Sequence, residues 1–219
     1  MMERGDTKQA VALGFLAGYV DTLGFVGLFG LFTAHVTGNF VLIGRALIEP
    51  SQSILIKLMV FPVFIVFVAL ARLLILHWSR SGAKQLRNSF LFQLLMMAAT
   101  VLCAWQAAPV VEASAPLTLL TGMLCAGAMA VQNAYGKLLL GKTAATTVMT
   151  GNVTTLVIEM VDSLRGDPEA MGRCKKLAWP VLAFGAGCMA GALAFVAVGF
   201  HGLLLPCAML VWLAAATPD

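Results

Sequence analysis

Thr37-Gly38-Asn39-Phe40-Val41-Leu42-Ile43 and Thr150-Gly151-Asn152-Val153-Thr154-Thr155-Leu156 open alike, with a Thr-Gly-Asn triplet running into an apolar stretch. Upstream, Ala17-Gly18-Tyr19-Val20-Asp21-Thr22 aligns with Ala128-Met129-Ala130-Val131-Gln132-Asn133. Downstream, Lys57-Leu58-Met59-Val60-Phe61-Pro62 aligns with Lys175-Lys176-Leu177-Ala178-Trp179-Pro180. Three landmarks in one order, with small length changes, mark an internal repeat. The chain therefore reads as two homologous halves, about 1–110 and 111–219, within a single membrane domain spanning 1–219.

The composition sets the solvent. Of 219 residues, 60% are hydrophobic and 11% charged, against about 25% charged in an ordinary soluble domain. A soluble domain of this size cannot bury so much apolar surface and still show water a polar skin. This excludes a cytosolic enzyme, a disordered chain and a nucleic-acid-binding module. What remains is an all-α, polytopic transmembrane helical bundle with the lipid bilayer as its first partner. Its apolar segments run over about 11–31, 32–48, 54–76, 89–107, 116–135, 144–161, 177–200 and 202–216, four in each half. The segments at 32–48 and 144–161 are short and polar at their starts. Four of the five cysteines sit in apolar runs, so buried thiols are expected rather than a disulfide framework. The N-terminal run carries Asp21 and lacks a small-x-small cleavage site, so it reads as a retained helix.

Loop charges bear on topology. Eight full crossings make the halves parallel and divide Lys and Arg nearly evenly between the two sides. If the second segment of each half is broken or re-entrant, six crossings remain and the halves are inverted. Arg4, Lys8, Arg72, Arg80, Lys84, Arg87, Arg165, Arg173, Lys175 and Lys176 are then expected on one side, with Arg45, Lys57, Lys137 and Lys142 on the other. The positive-inside rule favours this inverted arrangement, with both termini cytoplasmic.

Polar residues inside the apolar segments are the candidate site. In each Thr-Gly-Asn, glycine gives conformational freedom, and Thr and Asn are cap-forming types. A half-helix starting there would turn its N–H groups and positive dipole end inward. Two such starts in matching places point to a midplane solute site. The triplets could equally be two surface caps, and both readings stand on the sequence alone. Asp21 is a carboxylate deep in the first segment, which costs a few kcal/mol unless it is paired or hydrated. It could serve function or form a static ion pair with Lys137 or Arg72. Asp21 and His35 together form a candidate proton relay. The second half offers Gln132 and Asn133 for Asp21 and Thr22, and Val148 for His35, so polarity is kept while charge is lost.

The candidate solute- or ion-binding set is thus Asp21, Thr22, Thr37, Gly38, Asn39, Gln132, Asn133, Thr150, Gly151 and Asn152. Glu159 and Asp162 read as solvated helix-end carboxylates. Gly14, Gly18, Gly187 and Gly191 have the spacing of close helix contacts, within one protomer or between copies in a homo-oligomer. Pro62 and Pro180 read as first-turn prolines. Gly136-Lys137-Leu138-Leu139-Leu140-Gly141-Lys142-Thr143 matches the phosphate-loop pattern letter for letter, but the mechanism requires a preceding strand in a soluble βαβ unit. No nucleotide partner is expected. No Cys-x-x-Cys, paired-His zinc motif or G-x-S-x-G elbow occurs. No cofactor or metal is expected, and no enzyme.

Gly18-Tyr19-Val20-Asp21 with Gly24-Phe25, then Thr37-Gly38-Asn39, Gln132-Asn133-Ala134 and Thr146-Thr147-Val148-Met149-Thr150-Gly151-Asn152 resemble the YoaK-like family. These are bacterial inner-membrane proteins carrying a domain of unknown function. The resemblance covers nearly the whole chain. It implies a bacterial plasma-membrane location and a bundle of six to eight helical segments, but no activity. The function expected from the residues is a transporter or channel for a small polar or anionic solute, with proton or cation coupling through Asp21. The alternative is a non-transporting membrane scaffold, sensor or assembly partner.

Overall fold

The computed structural model describes residues 4–49, 53–141, 147 and 149–217. Helices follow in the order α1 (Arg4–Gly27), α2 (Gly38–Ala46), α3 (Ile54–Arg80), α4 (Gln85–Ala107), α5 (Pro116–Leu139), α6 (Met149–Leu164), α7 (Ala170–Val198) and α8 (Leu204–Ala216). A 3₁₀ turn, Gly199–Leu203, joins the last two. No strand occurs among the described residues. In an apolar solvent, a helix satisfies every backbone group within its own segment. Five stretches are long and apolar enough to cross a membrane: Thr7–Gly27, Ile54–Arg80, Gln85–Ala107, Pro116–Leu139 and Ala170–Ala216.

α1 and α5 form the centre. Their spans are 67% and 72% buried, against 22% for α3. The small residues of α5, such as Ala126, Gly127, Ala128 and Ala130, let neighbours approach closely. α3 and α7 turn Ile65, Leu73, Leu182 and Val196 outward, as helices in contact with lipid do. α1 packs chiefly on α7, and α5 packs between α3 and α4. α2 rests on α3, α6 on α7, and α8 on α4.

α2 is too short to cross a membrane by itself. α2 has nine residues, about 14 Å of helix, against a hydrocarbon core of about 30 Å. After α1 the chain reverses through Phe29 and Gly30, both at positive φ (56° and 74°). Lys57 Nζ, one turn into α3, donates to the Phe29 carbonyl at 2.8 Å. Phe29 and Lys57 therefore lie together, and α3 begins at the end of the bundle where α1 finishes. α5 runs parallel to α3: Gly122 meets Ile56, Gly127 meets Phe67, and Lys137 shares a cavity with Arg72. α7 runs parallel to α1, with Gly14 against Pro180, Gly18 against Phe184 and Gly191 against Tyr19. α5 thus finishes at the end of the bundle where α7 begins.

Several local expectations change. The first helix ends at Gly27 and the apolar stretch 28–37 is a loop, in which the N–H groups of Phe32, Thr33 and Ala34 are taken by side chains of α1 and α2 rather than by a helix ladder. Pro62 and Pro180 lie inside α3 and α7 rather than in their first turns. Breaking a helix in lipid would expose more backbone than the one lost N–H, so the helices run through. Lys137 lies beside Arg72, at one end of the bundle rather than opposite it. Lys142 and Val148 lie outside the described residues. Of the phosphate-loop-like run, Gly136–Leu139 is the last turn of α5, and Lys142 and Thr143 lie outside the described residues.

Candidate functional site

Asp21 sits in α1 with 4% of its surface exposed. Its Oδ1 accepts the backbone N–H of Thr33 and of Ala34, each at 2.7 Å, and the Thr33 hydroxyl at 3.4 Å. Its Oδ2 faces His35 Nδ1 at 2.7 Å. The partner of the buried carboxylate is therefore the loop that follows its own helix, not Lys137 or Arg72. The His35 ring lies edge-on to Phe184 of α7, with centroids 5.4 Å apart, and its side chain is 35% exposed. The His35 imidazole, in the connection between α1 and α2, is held above its ordinary pKa chiefly by the hydrogen bond to Asp21. Partial burial opposes that shift, and the Asp21 charge adds to it.

Asn39, fully buried, clamps the other side of the loop. Its Nδ2 donates to the Phe32 carbonyl at 2.8 Å, and its Oδ1 accepts the Phe32 N–H at 3.1 Å. Thr37 is the N-cap of α2 by position but makes no side-chain cap bond, and it is exposed. The N–H groups of Gly38, Asn39 and Phe40 donate to the carbonyls of His35, Val36 and Thr37. The α2 start therefore spends its donors on its own turn instead of on an anion. The nest formed by the Thr33 and Ala34 N–H groups is filled by the Asp21 carboxylate.

The second half is built differently. Gln132 Nε2 donates to the Leu13 carbonyl of α1 at 3.0 Å, and its Oε1 accepts from Gln93 Nε2 of α4 at 2.9 Å. The Tyr135 hydroxyl donates to Gln93 Oε1 at 2.6 Å. All three side chains are fully buried, so this chain ties α1, α4 and α5 together in the core. Asn133 Oδ1 accepts the Thr147 hydroxyl at 2.6 Å, as Asp21 receives Thr33 in the first half. Asn152 is buried, with Met149 Sδ at 3.5 Å among its partners, whereas Thr150 and Gly151 are exposed. Thr22 lies beside the Cys188 thiol of α7.

The candidate residues thus fall into separate groups: Asp21, His35 and Asn39 around the loop 28–37; Gln132 in the core; Asn133 with Thr147. Three cavities accompany them. One of 430 Å³ lies at the finishing ends of α1, α4 and α7, beside Trp105 and His201. One of 350 Å³ lies between the Phe29–Gly30 turn, α2 and α3, and includes Lys57. One of 380 Å³ lies between α3 and α5 and includes Arg72, Lys137 and Asn133. None of these three is lined by Asp21, Asn39, Gln132 or Asn152.

Over residues 9–216 the chain matches the family described as Protein of unknown function (DUF1275). It belongs to this family. No curated protein matches it, and no solved structure does. Family membership assigns no chemistry, so the site rests on the residues of this chain.

Gln93 and Tyr135 join the bonded groups around the candidate residues although the sequence pattern did not single them out, while Lys57 and Thr147 entered it only as parts of the repeat, the loop charges and the family resemblance. Gln93 carried a usable signal: an amide in the middle of an apolar segment is costly for the same reason as Asp21. Glu159 is not a solvated carboxylate. Its side chain is 16% exposed and accepts Arg173 Nε at 2.7 Å, while Arg173 Nη2 reaches Asp167 at 2.6 Å. This cluster pins α6 to α7.

The Arg173 hydrogen bond, followed by the Glu169 N–H, holds the Asp167 carboxyl below the usual carboxylate range. A lowered folded pKa gives stability above the unfolded value, lost as pH falls through the folded one. The unfolding midpoints of wild type and Asp167→Asn, followed by tryptophan fluorescence, should differ at pH 6, and the gap should narrow as the pH falls below about 4. A gap that stays constant over that range would show that Asp167 is not ionically bound.

Proposed function

We propose that this chain is a non-enzymatic membrane transporter or channel for a small polar or anionic solute, built from two inverted halves, with proton or cation coupling through Asp21 and His35. The halves are residues about 1–110 and 111–219. Reciprocal packing supports the repeat: the first helix of each half, α1 or α5, lies on the third-position helix of the other, α7 or α3. The fourth-position helices, α4 and α8, meet each other. Such exchange is what a twofold relation between halves requires. With α2 and α6 each returning to the end they left, and α8 taken as a crossing together with its 3₁₀ lead-in, each half would have three crossings and the halves opposite orientations. The resemblance to YoaK-like proteins and the loop charges fit a bacterial inner membrane with both termini cytoplasmic.

One observation carries the transport reading. A buried carboxylate and a half-exposed imidazole, 2.7 Å apart, hold the re-entrant loop of a membrane helix bundle. Protonating Asp21 or removing the His35 proton changes the bonds that seat the loop, so loop position and proton occupancy are linked. Thr37, Gly38, Gln132, Thr150, Gly151 and Asn152 would act from the two loops and their half-helices, with Thr22, Asn39 and Asn133 shaping the path.

The test is flux in proteoliposomes under an imposed pH gradient, with small anions as probes. Asp21→Asn keeps an acceptor oxygen for Thr33 and Ala34 but removes the charge. It is expected to leave folded protein and to abolish proton dependence. Flux that stays proton-dependent in that variant sinks the assignment.

A non-transporting scaffold, sensor or assembly partner is the second reading. What favours it is that Asn39 folds back on Phe32, Gln132 ties α1 to α4, and none of the three cavities described above is lined by Asp21, Asn39 or Gln132. Absence of flux for every probe, from a protein that is folded and correctly oriented, would support it.

A further inference from the structure

Lys57 is 5% exposed, although it carries a charge. Its ammonium donates to two neutral acceptors, the Phe29 carbonyl at 2.8 Å and Ser53 Oγ at 2.5 Å. An ammonium has three donors, so one N–H is unassigned. The described residues bring no carboxylate into an ion pair with it. A buried charge whose partners are all neutral lacks the compensation that burial normally demands.

The third donor has somewhere to go. Lys57 lines the 350 Å³ cavity between the Phe29–Gly30 turn, α2 and α3. Arg45 and Glu49 form its exposed rim and pair with each other at 2.6 and 2.9 Å. The Arg45 and Glu49 charges cancel, which leaves the cavity with the single positive charge of Lys57. Phe25, Phe29 and Leu42 supply apolar wall. Gly30, at φ 74°, closes the turn where a side chain would be strained and would come to 4.0 Å from Lys57 Nζ.

We infer that this cavity binds a small organic monoanion, a carboxylate with a short apolar portion. The carboxylate takes the remaining N–H of Lys57, and the apolar part lies against Phe25 and Leu42. One negative charge balances the cavity, and the aromatic wall favours an organic anion over a bare halide. The carboxylate also couples the site to the loop, because the same ammonium holds the Phe29 carbonyl. The inference names a solute class for the proposed transporter and rests on that reading only for passage across the membrane.

Binding is therefore measured without flux. The full chain in lipid nanodiscs is titrated calorimetrically with butyrate or benzoate, and with butyramide as the uncharged control. Saturable binding of a carboxylate is expected, with butyramide at least tenfold weaker. Lys57→Met should weaken binding at least tenfold, and Lys57→Arg should retain measurable binding. Because Lys57→Met also releases the Phe29 carbonyl, Arg45→Gln provides an independent arm. It leaves Glu49 unpaired at the rim, cancels the cavity's net positive charge and should weaken binding about threefold or more. No saturable carboxylate binding by wild type, equal binding of the amide, or unchanged affinity in both folded Lys57→Met and Arg45→Gln overturns the proposal. Carboxylate binding without any flux would fell the transport reading alone. Flux of other solutes without carboxylate binding would fell this site alone.

Discussion

Asp21→Ala should destabilise the protein by at least a factor of ten in the unfolded-to-folded ratio, read by denaturing titration in mixed micelles. The substitution leaves the Thr33 and Ala34 N–H groups without their acceptor and removes the partner of the His35 ring. Each buried donor left unsatisfied costs about 1–3 kcal/mol, against a total stability of about 5–15 kcal/mol for a typical domain. The loop 28–37 has no helix ladder of its own to fall back on. Asp21→Asn, which retains an acceptor oxygen, should fall between wild type and Asp21→Ala. Wild-type resistance in Asp21→Ala would mean that the loop is held mainly through Asn39 and Lys57.

A still larger loss is expected from a single methyl group at Gly187. Gly14 and Gly18 of α1 and Gly187 and Gly191 of α7 line one seam, where the two backbones touch. A Cβ at Gly187 would fall on the Phe15 carbonyl oxygen, one at Gly191 on the Tyr19 carbonyl, and one at Gly18 on the Phe184 carbonyl. These obstacles are backbone atoms, which cannot rotate aside. Gly187→Ala must therefore part the helices along the seam and give up their packing. Gly185→Ala, two residues away, meets nothing within 4 Å and should be neutral to within about 0.5 kcal/mol. Comparing the yields of monodisperse protein for these two alanine variants isolates the seam. Equal yields would show that α1 and α7 separate without penalty.

The glycine spacing was legible in the sequence because close helix approach demands small residues at fixed intervals. The spacing could not say whether the contact lay within one chain or between two. The fold places all four glycines on one seam between α1 and α7 of the same chain. The Thr-Gly-Asn triplets were legible as breaks in the apolar pattern, but the role of their donors was not. Asn39 folds back on Phe32, and Asp21 occupies the nest at Thr33 and Ala34. Both outcomes depend on where a loop lies in space, which residue types alone do not encode. Gln132 is the counterpart of Asp21 by repeat position, yet its bonds differ in kind. It instead joins Gln93 and Tyr135, because α4 packs against α5 on that face.

By itself, the sequence determined that this chain lives in a bilayer, that it is helical, that it carries a repeated motif, and that Asp21 would need a partner. These follow from transfer energies and backbone satisfaction, which depend on composition and order. Tertiary structure alone decided which partner Asp21 has, that the apolar stretch 28–37 folds back as a loop, and that Lys57 is buried beside a cavity with no carboxylate paired to it among the described residues. Those outcomes depend on the distances between elements far apart in the chain, and no local pattern sets such distances.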